Sequence, residues 1–197
     1  MLNAKALTQV LAQNADGRIC KTWFLMTGSG ALLASSQTTT DRQLRKQVSV
    51  VALSWKDHAH TAEPAQSGFE HYTANGASSE SPTTITIESQ TANIIAKMIQ
   101  PNLFLVLEGG TPPRRPGFEA KVTAEGQTHE RYPSIGEGDI SLPGSPHSLA
   151  ASSVNSTVAL SVLRYQREKL EAMAETIATD LESIGFSMPG ENKENVF

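Results

Sequence analysis

The stretch "NLFLVLE", residues 102 to 108, is apolar at every position from Leu103 to Leu107. A strand that faces water on one side alternates apolar and polar residues; an uninterrupted run requires cover on both faces. The run therefore predicts a central strand in a sheet with helices on both sides. Working outward, "TANIIAKMI" (91 to 99) precedes it, and "TTITIES" (83 to 89) alternates, with Ile85 and Ile87 on one face, as a half-buried strand does. Nearer the start, "KTWFLM" and "ALLASS" are separated by "TGSG" at Thr27 to Gly30, the composition of a hairpin loop, which predicts strands at 20 to 26 and 31 to 36.

Three helices are predicted around these strands. "AKALTQVLAQN" (4 to 14) places Ala6, Leu7, Val10 and Leu11 on one side and ends at the turn cluster "NADG". A second helix, 41 to 58, opens with the capping-box pattern Thr40-x-x-Gln43. Its residues Leu44, Val48, Val51 and Trp55 form one stripe, and Val50 with Leu53 form a second on roughly the opposite side. Packing on a sheet needs one stripe, so the second calls for a partner. The third helix, 158 to 186, carries Leu163, Leu170, Met173, Ile177, Leu181 and Ile184 along one side and ends at Gly185 followed by Phe186, a glycine-type cap.

Two segments lack periodicity. Residues 59 to 82 are small and polar, and 109 to 157 carry six of the ten prolines; both read as disordered insertions, and 187 to 197 as a flexible tail. The remaining residues, about 115 of them, suit one compact domain spanning 1 to 186.

Bulk properties narrow the function classes. A net charge of -4 gives no basic footprint for nucleic acid. One cysteine, Cys20, allows no intrachain disulfide and fits a reducing compartment. No run of about 18 apolar residues and no signal-peptide pattern is present, so a soluble, non-secreted chain without direct membrane insertion is expected.

Candidate chemistry is thin. His58 and His60 in "DHAH", with His71, lack zinc-site spacing and fit a solvated helix end. The "GSG" at 28 to 30 has no following Lys-Ser/Thr and helix, and "GEGD" at 136 to 139 lies in an insertion, so both read as turn glycines. Cys20 has no implied base and reads as a small apolar residue. No Gly-x-Ser-x-Gly elbow supports a hydrolase. Ser81-Pro82, Thr111-Pro112 and Ser145-Pro146 are loop positions where a phosphate would be tolerated. We therefore expect no catalytic residues, no cofactor and no metal. The "TTITIE" strand is more informative: if it ends the sheet, its edge has neither proline nor lysine to blunt it and calls for cover, by another chain or by a loop of this one. The expected partner interface is thus Val50, Leu53, Thr84, Ile85, Thr86 and Ile87.

The opening "ML-x-x-KALTQVLAQ", matched at Met1, Leu2, Lys5, Ala6 through Leu11 and Gln13, followed by "GALLASS" after a strand, resembles the roadblock/dynein light chain family. Within it, the opening residues are most similar to the endosomal and lysosomal adaptors of Ragulator complexes, in a fungal-type form with insertions. The resemblance covers 1 to 58, 83 to 108 and roughly 158 to 186. It implies a roadblock (profilin-like) α+β fold: a five-stranded antiparallel sheet, the 41 to 58 helix on one face and the first and last helices on the other. It further implies a non-catalytic adaptor that pairs with another roadblock subunit. Such a heterodimer is held on the late endosomal, lysosomal or vacuolar surface by a lipidated scaffold and binds Rag-type GTPases, serving amino-acid signalling to TOR complex one. A homodimeric roadblock protein acting as a dynein light chain or small-GTPase regulator is the alternative.

Overall fold

A computed structural model describes residues 3–36, 40–61, 82–114, 118–126 and 150–188. Along the chain they form α1 (Ala4–Gln13), β1 (Cys20–Thr27), β2 (Leu32–Ser35), α2 (Asp41–Thr61), β3 (Thr84–Glu88), β4 (Ala92–Gln100), β5 (Leu103–Gly110), β6 (Lys121–Glu125) and α3 (Ala150–Ser183). The strands make one antiparallel sheet in the order β2-β1-β5-β4-β3-β6. β5 lies between β1 and β4, and all of its residues are buried, as its unbroken apolar run requires.

The pleat divides β5 between two cores. Leu103, Leu105 and Leu107 face one side with Trp23, Leu25 and Ile95, where they meet Leu11 of α1 and Leu163, Leu170, Met173, Ile177 and Leu181 of α3. Phe104 and Val106 face the other side with Phe24, Met26 and Ala96, under Leu44, Val48 and Val51 of α2. The Trp55 ring tilts onto Phe104 with centroids 4.3 Å apart. The opening helix is therefore core cover. Leu11 is fully buried, Leu7 and Val10 pack beside it, and the Trp23 indole donates to the Asn14 carbonyl just past the helix end.

Local chemistry sets the element ends. Asn3 caps α1 by accepting from the Ala6 amide at 3.1 Å. Gly30 takes a positive φ of 86° at the β1–β2 turn. At the end of α3, Gly185 adopts φ 64°, the Phe186 amide reaches the Leu181 carbonyl and the Gly185 amide that of Glu182. This is a Schellman cap.

Four expectations are corrected. The sheet has six strands, not five, because β6 forms inside the segment read as a disordered insertion. β5 also runs on to Gly110, and α3 begins at Ala150, eight residues before the expected start at 158. Ile184 is 55% exposed, since the chain has left the helix there and no longer follows the buried stripe. Most of the first insertion, 62–81, and residues 115–117, 127–149 and 189–197 lie outside the described residues.

Candidate partner-binding surface

α2 has two faces because its apolar residues fall in two registers. The first stripe is buried: Leu44 and Val48 are 5% exposed and Val51 1%. Val50 and Leu53 point away from the sheet, at 43% and 63% exposure. Beside them Asp41, Arg42, Arg45, Lys46 and Ser49 line a shallow open concavity that Val50 completes. An exposed apolar pair flanked by cations suits a protein partner with an apolar anchor and acidic neighbours.

The other half of the expected interface is not available as expected. β3 does not end the sheet: it pairs with β4 on one side and β6 on the other, from Thr84 opposite Glu125 to Glu88 opposite Lys121. The backbone groups of Thr84, Ile85, Thr86 and Ile87 are thus engaged within the chain. Their side chains are covered too, with Ile85 and Thr86 at 1% and Ile87 at 8% exposure, and Thr84 partly buried. Substituting Ile85 would disturb folding before it reported on a partner.

Sequence reasoning also missed a buried polar network at the C-terminal end of β5. Gln166 of α3 is fully buried, and its amide donates to the Ile19 carbonyl at 2.9 Å and the Gly110 carbonyl at 2.7 Å. Its oxygen accepts from Asn93 at 2.9 Å. Asn93 in turn accepts from Arg114 at 2.6 Å, and Arg114 pairs with Glu88 at 3.0 Å and lies 4.0 Å over the Phe118 ring. Gly109 is required by this approach, because a Cβ there would overlap the Gln166 amide. The network fastens α3 and the segment after β5 to the sheet. Gln166 falls between Leu163 and Leu170 on the α3 stripe, so its position gave the signal that its residue type hid.

The remaining candidates for chemistry are structural. Cys20 is buried at the start of β1, and desolvation, with Asp16 nearby, pushes its thiol up to about 11, so it stays neutral. The His58 ring bonds the Ser54 carbonyl one turn back at 2.8 Å. Gly28 and Gly30 belong to the β1–β2 turn, where Asn102 accepts from the Gly28 amide at 2.8 Å. Among the described residues no group of three metal-ligating side chains occurs, and no helix is long and apolar enough to cross a membrane. His71, Ser81, Ser145 and the 136 to 139 glycines lie outside the described residues.

No family model and no curated protein matches the chain. Among solved structures, it is similar to a Roadblock/LC7 domain from Streptomyces avermitilis, at 8% identity and a TM-score of 0.40, over 53% of this chain and 76% of that one. It is also similar to a structure described as MglB with tetrameric arrangement, at 12% identity and a TM-score of 0.39, over 54% of this chain and 72% of that one.

Proposed function

We propose that the chain is a non-catalytic adaptor of the roadblock type that works by holding a protein partner on the outer face of α2. The observation that carries this reading is the outward pair Val50 and Leu53, two large apolar side chains that the chain's own core leaves in water. The layering supports it: among the described residues, α2 is the one helix packed on this face of the sheet, and its outer side carries Val50 and Leu53. The resemblance of the opening residues supplies the finer reading, a subunit of a Ragulator-like complex. In that reading the partner is another roadblock-domain protein, a lipidated scaffold provides the lysosomal or vacuolar address, and Rag-type GTPases are the clients.

Co-expression with candidate roadblock partners tests the proposal. A stable one-to-one complex is expected, weakened by Val50→Asp and by Leu53→Asp, since removing a desolvated apolar anchor costs about 2 kcal/mol or more. Unchanged affinity in both variants would refute the surface, and a chain that ignores every such partner would refute the adaptor reading.

A further inference from the structure

Thr111 is the first residue after β5, where the chain leaves the ladder. Pro112 and Pro113 follow it, and their ring-locked φ angles and missing amides keep the stretch from Thr111 to Arg114 extended and outside any helix or sheet. Thr111 and Pro112 are partly exposed, and Pro113 is exposed. A hydroxyl on an extended segment, followed at once by proline and at the third position by arginine, is the pattern that proline-directed kinases phosphorylate. Of the three Ser/Thr-Pro pairs in the chain, Thr111-Pro112 alone carries that arginine.

The state of Arg114 says what a phosphate would do there. Its side chain is 6% exposed, with Nη1 on Glu88 at 3.0 Å, Nη2 on Asn93 at 2.6 Å and the guanidinium 4.0 Å over the Phe118 ring. The remaining nitrogen, Nε, is buried and has no acceptor among the described residues. A buried donor on a charged group is costly to leave unpaired, so this clasp is one acceptor short. In the polyproline conformation that Pro112 and Pro113 favour, a turn takes three residues, which brings Thr111 and Arg114 to the same side about 9 Å apart. A phosphate on Thr111 adds acceptor oxygens that reach toward the arginine, and the two long side chains together close that distance. A second cation stands on the other flank: Lys21 runs beside Gly110, its Cε 3.1 Å from where a Cβ on that glycine would sit. The phosphate would thus meet positive charge from β1 and from Arg114, while Glu88 keeps its own guanidinium nitrogen.

We infer that Thr111 is a phosphorylation site whose phosphate takes up the unpaired Nε of Arg114 and locks the clasp that fastens the segment after β5 and, through Asn93 and Gln166, α3 to the sheet. The inference concerns the chain's own stability and does not rest on the adaptor reading. The kinase acts while the segment is open and Arg114 is out of the clasp. The γ-phosphoryl group of ATP then passes to Thr111 Oγ1, the hydroxyl proton is released and ADP leaves. The test uses the full chain with Ser81→Ala and Ser145→Ala, so that Thr111 is the remaining Ser/Thr-Pro position. It is incubated with a cyclin-dependent kinase and Mg²⁺-ATP, the phosphate is mapped by tandem mass spectrometry, and melting is followed by calorimetry. Phosphate is expected on Thr111, with a melting temperature about 3 to 8 °C above that of the unmodified chain. Arg114→Lys, which keeps the positive charge and deletes Nε, should retain less than half of that rise. Absence of phosphate at Thr111, a smaller rise than expected, or half the rise or more persisting in Arg114→Lys overturns the inference. The first two results are read with Thr111 and Arg114 both in place, so they decide the matter even if Arg114→Lys does not fold.

Discussion

Replacing Gln166 by methionine keeps the volume of a fully buried side chain and deletes three hydrogen bonds, to the Ile19 and Gly110 carbonyls and from Asn93. Ile19 retains the Gly110 amide as a donor at 3.0 Å, so its carbonyl is not stranded. The Asn93 amide is different. Asn93 is also fully buried, and its Nδ2 loses the acceptor that Gln166 provides. Each lost bond costs about 1 kcal/mol net, and a buried donor left unpaired adds about 1 to 3 kcal/mol. We expect a total destabilisation of about 4 to 6 kcal/mol, a large share of what holds a domain of this size together. With a urea m-value of about 2 kcal/mol/M, the unfolding midpoint should fall by roughly 2 to 3 M. The fluorescence of buried Trp23 reports the transition directly. A midpoint within about 0.5 M of wild type, at unchanged m, would show that the network is not the fastening we take it to be.

Two further outcomes follow from the same structure. The Cys20 thiol is held neutral up to about 11 against an ordinary 9.0, so the unfolded chain gives up this proton first as pH rises and folding stability is lost between those values. Wild type should therefore lose more stability than Cys20→Ala from pH 9 to 11, and equal losses would contradict the burial argument. At Val50 and Leu53, the single substitutions to Asp should leave thermal stability within about 0.5 kcal/mol of wild type, because both side chains face solvent. A large loss of stability would mean that this face packs inside the chain.

How much could be read in advance depended on how far each pattern repeats. The five apolar residues of β5 implied cover on both faces, and α1, α2 and α3 now supply it from the two sides. The two registers on α2 separated buried Val48 and Val51 from exposed Val50 and Leu53, since a helix at 100° per residue cannot bury both sets on one sheet. β6 escaped because five alternating residues were submerged in a proline-rich segment judged by composition. That miss carried over to the interface: Thr84 to Ile87 read as a free edge only while nothing else was available to pair with them. Gln166 escaped for a different reason. Burial of a polar side chain is favourable only where partners meet it, and its partners come from residues 19, 93 and 110.

Whether α2 holds a protein partner is tested by affinity purification of the tagged full chain from its own cells, with the bound proteins identified by mass spectrometry. If the proposed adaptor role holds, a roadblock-domain protein is recovered in equal amount, together with Rag-type GTPases and a lipidated scaffold, and all are lost when Leu53→Asp is the bait. Recovery of dynein intermediate chain in their place, or an unchanged set of partners with Leu53→Asp, would contradict it.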